Sequence, residues 1–192
     1  MTRSFHAAAL ATALCAAALG LSSAMIAARA SAVANVAAPD SVPAALQPPA
    51  DQEPFASLKG AGVQIYECAR KPDAPNTFAW EFREPDATLS DANGDVVGRH
   101  FAGPSWAAVD GSTIVGKVSA SLPAPLAGAI PWLRLDVGTH EGQGLFDHAT
   151  SVQRLDTIGG VAPALACGTR NEHQKERVGY TAIYVFWRAR DN

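Results

Sequence analysis

Between Gly60 and Gly144 a glycine or a proline recurs every few residues, so no stretch runs long enough to make an ordinary helix. What lies between these breaks is of strand size and rich in Val, Ile, Thr and aromatic residues, the types that suit a pleated surface. Val63 to Ala69 reads as one strand. Thr77 to Arg83 alternates Phe78, Trp80 and Phe82 with Thr77, Ala79, Glu81 and Arg83, which predicts a strand with an aromatic inner face. Asn93-Gly94 and Asp110-Gly111 are tight-hairpin signals, the second joining Ser105–Val109 to Ser112–Ser119. Ile130–Val137 and Gly179–Ala189 are further strands. In the last, Tyr180, Ala182, Tyr184 and Phe186 share one side while Ile183, Val185 and Trp187 share the other. Apolar residues on both sides predict a strand covered on both faces. Leu145–Ile158 fits either a helical stripe or an extended segment and is read as a strand. Asn171–Arg177 is polar throughout and is expected to be an exposed loop or short helical turn. The fold class that follows is all-β and mainly antiparallel: a β-sandwich or a closed barrel of about eight short strands.

The first thirty residues have a different character. Arg3 and His6 precede an Ala/Leu run from Ala7 to Leu21, and small residues lead to Ala28-Arg29-Ala30. This is the pattern of a secretory signal peptide over residues 1–30, with cleavage after Ala30 or nearby at Ala24 or Ala32. Residues 31–52 are expected to form a disordered tether, because Ser31 to Ala50 holds seven Ala and four Pro and little that could be buried. A single β-rich domain then spans 53–192.

Loss of Arg3 and Arg29 leaves 13 of the 15 basic residues against 18 acidic ones, a net charge of −5. Basic residues are nowhere concentrated, which argues against nucleic acid as a partner. No second apolar run has membrane-spanning length. The expected location is therefore periplasmic or extracellular. There, Cys68 and Cys167, the pair remaining once Cys15 departs with the signal, are predicted to form a disulfide, with two separate buried thiols as the alternative.

Five patterns occur in order along the domain: Val63-Gln64-Ile65-Tyr66-Glu67-Cys68; His100-x-x-Gly103-Pro104-x-Trp106 leading to Asp110-Gly111-Ser112; Ile130-Pro131-Trp132-Leu133; Gln153-Arg154-Leu155-x-Thr157-x-Gly159-Gly160; and Tyr180-x-Ala182-x-Tyr184-x-Phe186. As a set they resemble the domain of unknown function 3455 family, exported proteins of bacteria and fungi. The resemblance covers about residues 53 to 188 and implies secretion and a common fold. It implies no activity for named residues. The malate dehydrogenase label attached to some members does not suit these residues. Gly60-Ala61-Gly62 lacks the third glycine of a dinucleotide-binding turn and precedes a strand instead of following one. An NAD-dependent dehydrogenase is not expected, and no cofactor is called for.

The candidate sites each have a structural alternative. His100 and Asp110 flank the Gly-Pro-x-Trp segment and are the catalytic candidates, as a base and the carboxylate orienting it; the alternative is a hairpin turn with a hydrogen-bonded His. Gly103-Pro104-Ser105-Trp106 is not a nucleophile elbow. His140, Glu141, Asp147 and His148 are metal-ligand types in one Gly-flanked loop, without a recognised spacing. Trp106 and Trp132, beside Gly and Pro turns, are candidates to line an aromatic cleft, with core packing as the alternative. Arg154 beside Gly159-Gly160 offers a guanidinium for a carboxylate or phosphate, or else pairs with Asp136 or Asp156. The favoured function is a non-catalytic domain binding a small molecule or glycan at the cell envelope through Trp106, Trp132, His100 and Arg154. A secreted hydrolytic or metal-dependent enzyme, and a stress or interaction protein without a small ligand, are the alternatives.

Overall fold

The structure is a computed structural model that describes residues 42–191. The expected signal peptide and residues 31–41 of the expected tether lie outside the described residues. After one turn of 3-10 helix (Ala44–Leu46) come eight strands: β1 (Gln52–Lys71), β2 (Ala74–Ser90), β3 (Val96–Phe101), β4 (Ser105–Ala108), β5 (Thr113–Leu122), β6 (Trp132–Glu141), β7 (Ala149–Gly159) and β8 (Lys175–Ala189). Each pairs antiparallel with its sequence neighbours, and β1 also pairs with β8, so the sheet closes into an up-and-down barrel. The barrel is thus the one of the two predicted architectures that the chain adopts. The pairing of the long strands shifts register at Pro54/Ala56, Ile65/Tyr66 and Leu155/Ile158, irregularities of the kind that let a sheet curve and close. Among the described residues no helix is long and apolar enough to cross a membrane. The outer wall carries ion pairs, among them Arg83–Glu67, Arg177–Asp86 and Arg188–Glu53, where a lipid-facing barrel would present an apolar band.

The two apolar faces of β8 have separate partners. Tyr180, Ala182, Tyr184 and Phe186 point into the barrel, whereas Val185 and Trp187 belong to an outer cluster with Leu155, Val42 and Leu46. The segment covering that outer face comes from the stretch read as a disordered tether, so over its described residues that expectation is corrected. Leu46 is fully buried, the Gln153 amide donates to the Leu46 carbonyl (2.7 Å), and Arg134 donates to the Gln47 carbonyl (2.9 Å). One leucine and two carbonyls seat the segment despite its Pro content, because the outer side of β7 and β8 would otherwise expose Val185, Leu155 and Trp187.

Three other expectations shift. The strand read over Leu145–Ile158 occupies Ala149–Gly159, and Phe146 belongs to the preceding loop. Asn171–Gln174 is irregular, and Lys175 already begins β8. Thr77–Arg83 is extended as predicted, but its aromatic side is not core: Phe82 is 49% exposed. The reason lies in strand length. β3 pairs only with Ala87–Ser90, so β2 above Ala87 has no neighbour on that side.

The two ends of the barrel differ. At one end the loop 142–148 inserts Phe146, fully buried, with its ring 4.6 Å from Phe186. At the other end Cys68 of β1 is bonded to Cys167, holding the loop between β7 and β8 against the wall. Trp80 Nε1 donates to the Leu165 carbonyl of the same loop (2.9 Å).

Candidate functional site

A notch in the barrel wall follows from unequal strand lengths. β2 is unpaired with β3 above Ala87, and β5 is unpaired with β4 beyond Val115. Between these free margins stand the short strands β3 and β4 and their turn, 102–104. A cavity of about 300 Å³ opens here, with Phe82 and Pro85 of β2 on one margin, Val118 of β5 on the other, and Gly103-Pro104 between them. Its floor and far wall are His100, Trp106, Leu133, Leu135, Arg154 and Tyr184. That volume lies at the small end of ligand pockets, roughly 300–1,000 Å³. Two glycines make room for the rings below. A Cβ on Gly60 would stand 2.5 Å from Tyr184 Cε2, and one on Gly116 would stand 3.1 Å from Trp106 Cζ3.

His100 and Trp106 face each other across β3 and β4, and their rings stack at 4.6 Å with an interplanar angle of 14°. Tyr184 meets both, at 5.0 Å and 5.9 Å between ring centroids. His100 Nδ1 lies 2.8 Å from the Ser105 carbonyl oxygen, which can only accept, so Nδ1 carries the proton and Nε2 is left as an acceptor. Burial, with the nearby Arg154 charge and against the Ser105 hydrogen bond, lowers the His100 pKa to about 4; the ring is neutral at physiological pH. Trp106 is 1% exposed, and its indole N–H has no acceptor among the described residues.

Arg154 projects inward from β7 opposite Leu133 on one side and Tyr184 on the other. Its Nε and Nη2 donate to the Pro131 carbonyl at 3.1 and 2.9 Å. Tyr180 and Tyr184 share a hydrogen bond of 3.0 Å, and Tyr66 donates to the Gly160 carbonyl at 2.6 Å. Burial raises the pKa of all three phenols, while the Arg154 charge pulls each back. Burial likewise draws Arg154 below the usual guanidinium range, opposed chiefly by Tyr184 and Tyr180. Neutral phenols around a cation leave its charge without a counter-charge.

Of the four residues expected to bind a ligand, the structure brings His100, Trp106 and Arg154 to this cavity. Trp132 is placed elsewhere: it packs against the outer cluster of Val42, Leu46 and Trp187. Leu133, one position on, is the residue that lines the cavity. The His100/Asp110 pair is not assembled. Asp110 sits in the turn at the opposite end of β4, where Oδ1 accepts from Ser112 N (2.9 Å) and Ser112 Oγ (2.7 Å) and Oδ2 accepts from Leu145 N (2.7 Å). Its pKa is lowered, since those hydrogen bonds outweigh the effect of burial. It ties the β4–β5 turn to the loop that carries Phe146.

The loop candidates for a metal do not converge either. His140 Nε2 donates to the Ala149 carbonyl (2.7 Å), Asp147 accepts from Gly144 N (3.2 Å) and stands 3.5 Å from the exposed His148, and Glu141 is exposed. No group of three or more His, Cys, Asp or Glu side chains placed to hold a metal ion occurs among the described residues. The site residues that the sequence did not single out are Tyr184, read there only as one of the residues sharing a side of the last strand, and the walls Phe82, Arg83, Pro85, Val118, Leu133 and Leu135. For Tyr184 a signal exists, since two phenols on the inner side of a barrel strand require polar company inside.

No match was found among curated proteins or among solved structures. A family model described as "Protein of unknown function (DUF3455)" matches residues 49–188, from the approach to β1 almost to the end of β8. The match takes in all eight strands except the last residue of β8, and every residue of the cavity. The chain belongs to this family.

Proposed function

We propose that the protein is a non-catalytic binding domain, acting outside the cytoplasm, which holds a small molecule in the notch-side cavity of its barrel. The observation that carries this reading is the coincidence of a built cavity with the polar and aromatic side chains His100, Trp106, Arg154 and Tyr184. A small molecule suits it better than a glycan. Sugar recognition uses rings displayed as open platforms, whereas Trp106 is buried, Trp187 is tied to Gln153 on the outer face (2.9 Å), and the lining surface is largely apolar. Separation of Asp110 from His100 removes the pairing on which a hydrolytic alternative rested.

The uncharged fluorophore N-phenylnaphthylamine tests the reading. Its emission is expected to rise and shift to the blue on titration with the oxidised protein. Val118→Trp, which enlarges an exposed residue at the mouth, should weaken the dye about tenfold while leaving far-UV circular dichroism and the melting temperature unchanged. No emission change with the wild-type protein, or equal binding by the folded Val118→Trp variant, would overturn it.

A further inference from the structure

Every polar group of the cavity can be sorted by sign. Its lining holds two guanidiniums, Arg83 and Arg154, a phenol, an indole N–H and a neutral imidazole, and no carboxylate. Arg83 is neutralised on the wall by Glu67, 3.2 Å away. Arg154 is not: among the described residues it forms no ion pair, and its partner is the uncharged Pro131 carbonyl. This sets it apart from five arginines outside the cavity floor. Arg70, Arg83, Arg134, Arg177 and Arg188 each stand within 4.0 Å of a carboxylate, where water already screens the charge and a partner contributes little. Arg99, Arg170 and Arg190 also have no carboxylate within 4.0 Å among the described residues, but they are exposed to water; Arg154 is half-buried beside an apolar space.

A partly desolvated charge lacking a counter-charge is costly, and the cost is removed by whatever brings the opposite charge to it. The neighbouring donors point the same way. Trp106, whose buried Nε1 has no acceptor among the described residues, and Tyr184, which adds a hydroxyl, line the same cavity, a set of donors suited to a head group that accepts on both its oxygens. A carboxylate also matches the planar fork of a guanidinium. Beyond the head, Phe82, Pro85, Val118, Leu133 and Leu135 offer carbon to carbon.

Resting on the binding reading above, we infer that the ligand is a small organic monoanion: an ionised carboxylic acid on an apolar body, its carboxylate held by Arg154 and its body against the walls of the notch. Arg154 is then the residue that selects for charge, and the apolar walls are what limit size.

Calorimetric titration of the oxidised protein with naphthoate and with naphthamide, which share one apolar body and differ in the charge of the head, tests the inference. Naphthoate is expected to bind about tenfold tighter, the worth of one hydrogen-bonded charge in such a setting. In Arg154→Met, naphthoate should weaken to the level of the amide, while the amide changes by less than about twofold. Arg154→Lys, which keeps the charge and loses the fork, should fall between the two. Equal binding of both compounds by the wild-type protein overturns the choice of an anion but leaves the cavity as a binding site. Binding of neither, with N-phenylnaphthylamine also silent, overturns the cavity reading itself. Because the wild-type comparison alone decides the matter, an Arg154 variant that failed to fold would not rescue the inference.

Discussion

The barrel has one filled end and one hollow end, built from the same eight strands. Around Phe146 the interior is carbon against carbon: Leu89, Ile114, Val152 and Phe186 are all fully buried, and a loop drives an aromatic ring into the space between them. Around Arg154 the inward residues are Tyr66, Tyr180, Tyr184 and His100, and a space remains beside them. The filled end is held by packing, which any inward apolar residue can supply. The hollow end is held by directed bonds to carbonyls, from Tyr66 to Gly160, from Thr157 to Ile130 (2.6 Å) and from Arg154 to Pro131, and by a disulfide. A barrel of this size needs only part of its interior for stability; the rest is free for a purpose that stability does not explain.

The contrast can be broken most sharply at its filled end. Phe146→Ala should cost about 4 kcal/mol of unfolding free energy, as expected for a fully buried aromatic in close packing, while leaving the affinity for N-phenylnaphthylamine unchanged in the folded protein. Urea denaturation and dye titration of the same preparation give both numbers. If affinity falls with stability, the two ends are not separate.

The hollow end should reveal itself through acid. With its pKa lowered from 6.5 to about 4, His100 stays neutral in the fold. Above about pH 6.5 it is neutral in the unfolded chain too, and its contribution is fully present. As pH falls toward about 4, the unfolded chain takes up a proton that the folded one refuses, so stability is lost, by about 3 kcal/mol; below that value the loss from this group stops growing. Denaturation of wild type and His100→Gln at a series of pH values isolates the effect. The variant should show a smaller acid-induced loss by that amount, and parallel curves would assign the acid sensitivity to the carboxylates instead.

The smallest effect is expected at Asp110, whose removal loosens the turn supporting Phe146 without touching the cavity. Asp110→Asn keeps the shape but weakens three hydrogen bonds made to a carboxylate, at a cost of about 1 kcal/mol. A drop in dye affinity at unchanged stability would reinstate Asp110 as a site residue.

Much of this architecture can be read from the residues, and the failures have physical causes. Glycine and proline spacing excludes helices and points to antiparallel strands but misjudges their length. β1 runs 20 residues through Gly60 and Gly62, and β2 runs 17 through Pro75 and Pro85, where short strands are expected. The ring-and-hydroxyl stripe of β8 specifies a strand covered on both faces. His100 and Trp106 are found because polar and aromatic residues beside a Gly-Pro turn sit where strands end, next to the opening; Arg154, in the middle of β7, is found because a guanidinium within a strand needs a partner. Trp132 misleads because Ile130-Pro131-Trp132-Leu133 is apolar at every position; without alternation there is no parity, and a shift of one residue carries a ring from inside to outside. The notch is illegible for another reason. It depends on β3 and β4 being only six and four residues long while β2 runs for 17, a mismatch expressed only when the strands are laid side by side. The seat of Leu46 is hidden likewise, since composition describes what a segment can bury and not what awaits it.

The ring is sealed where its first and last strands meet, Gln52 opposite Ala189 and Glu67 opposite Lys175. Every other pairing joins consecutive strands and can zip up as the polypeptide emerges; this seam alone must wait for the final residues. Until then β1 and β8 offer bare edges to any neighbouring chain. Cys68 lies in one partner of the seam, and Cys167 lies just ahead of the other, 99 positions further along the sequence. Oxidation therefore works as a clasp on the joint that forms last, and a chain refolded under reducing conditions should close more slowly and lose more of itself to aggregation.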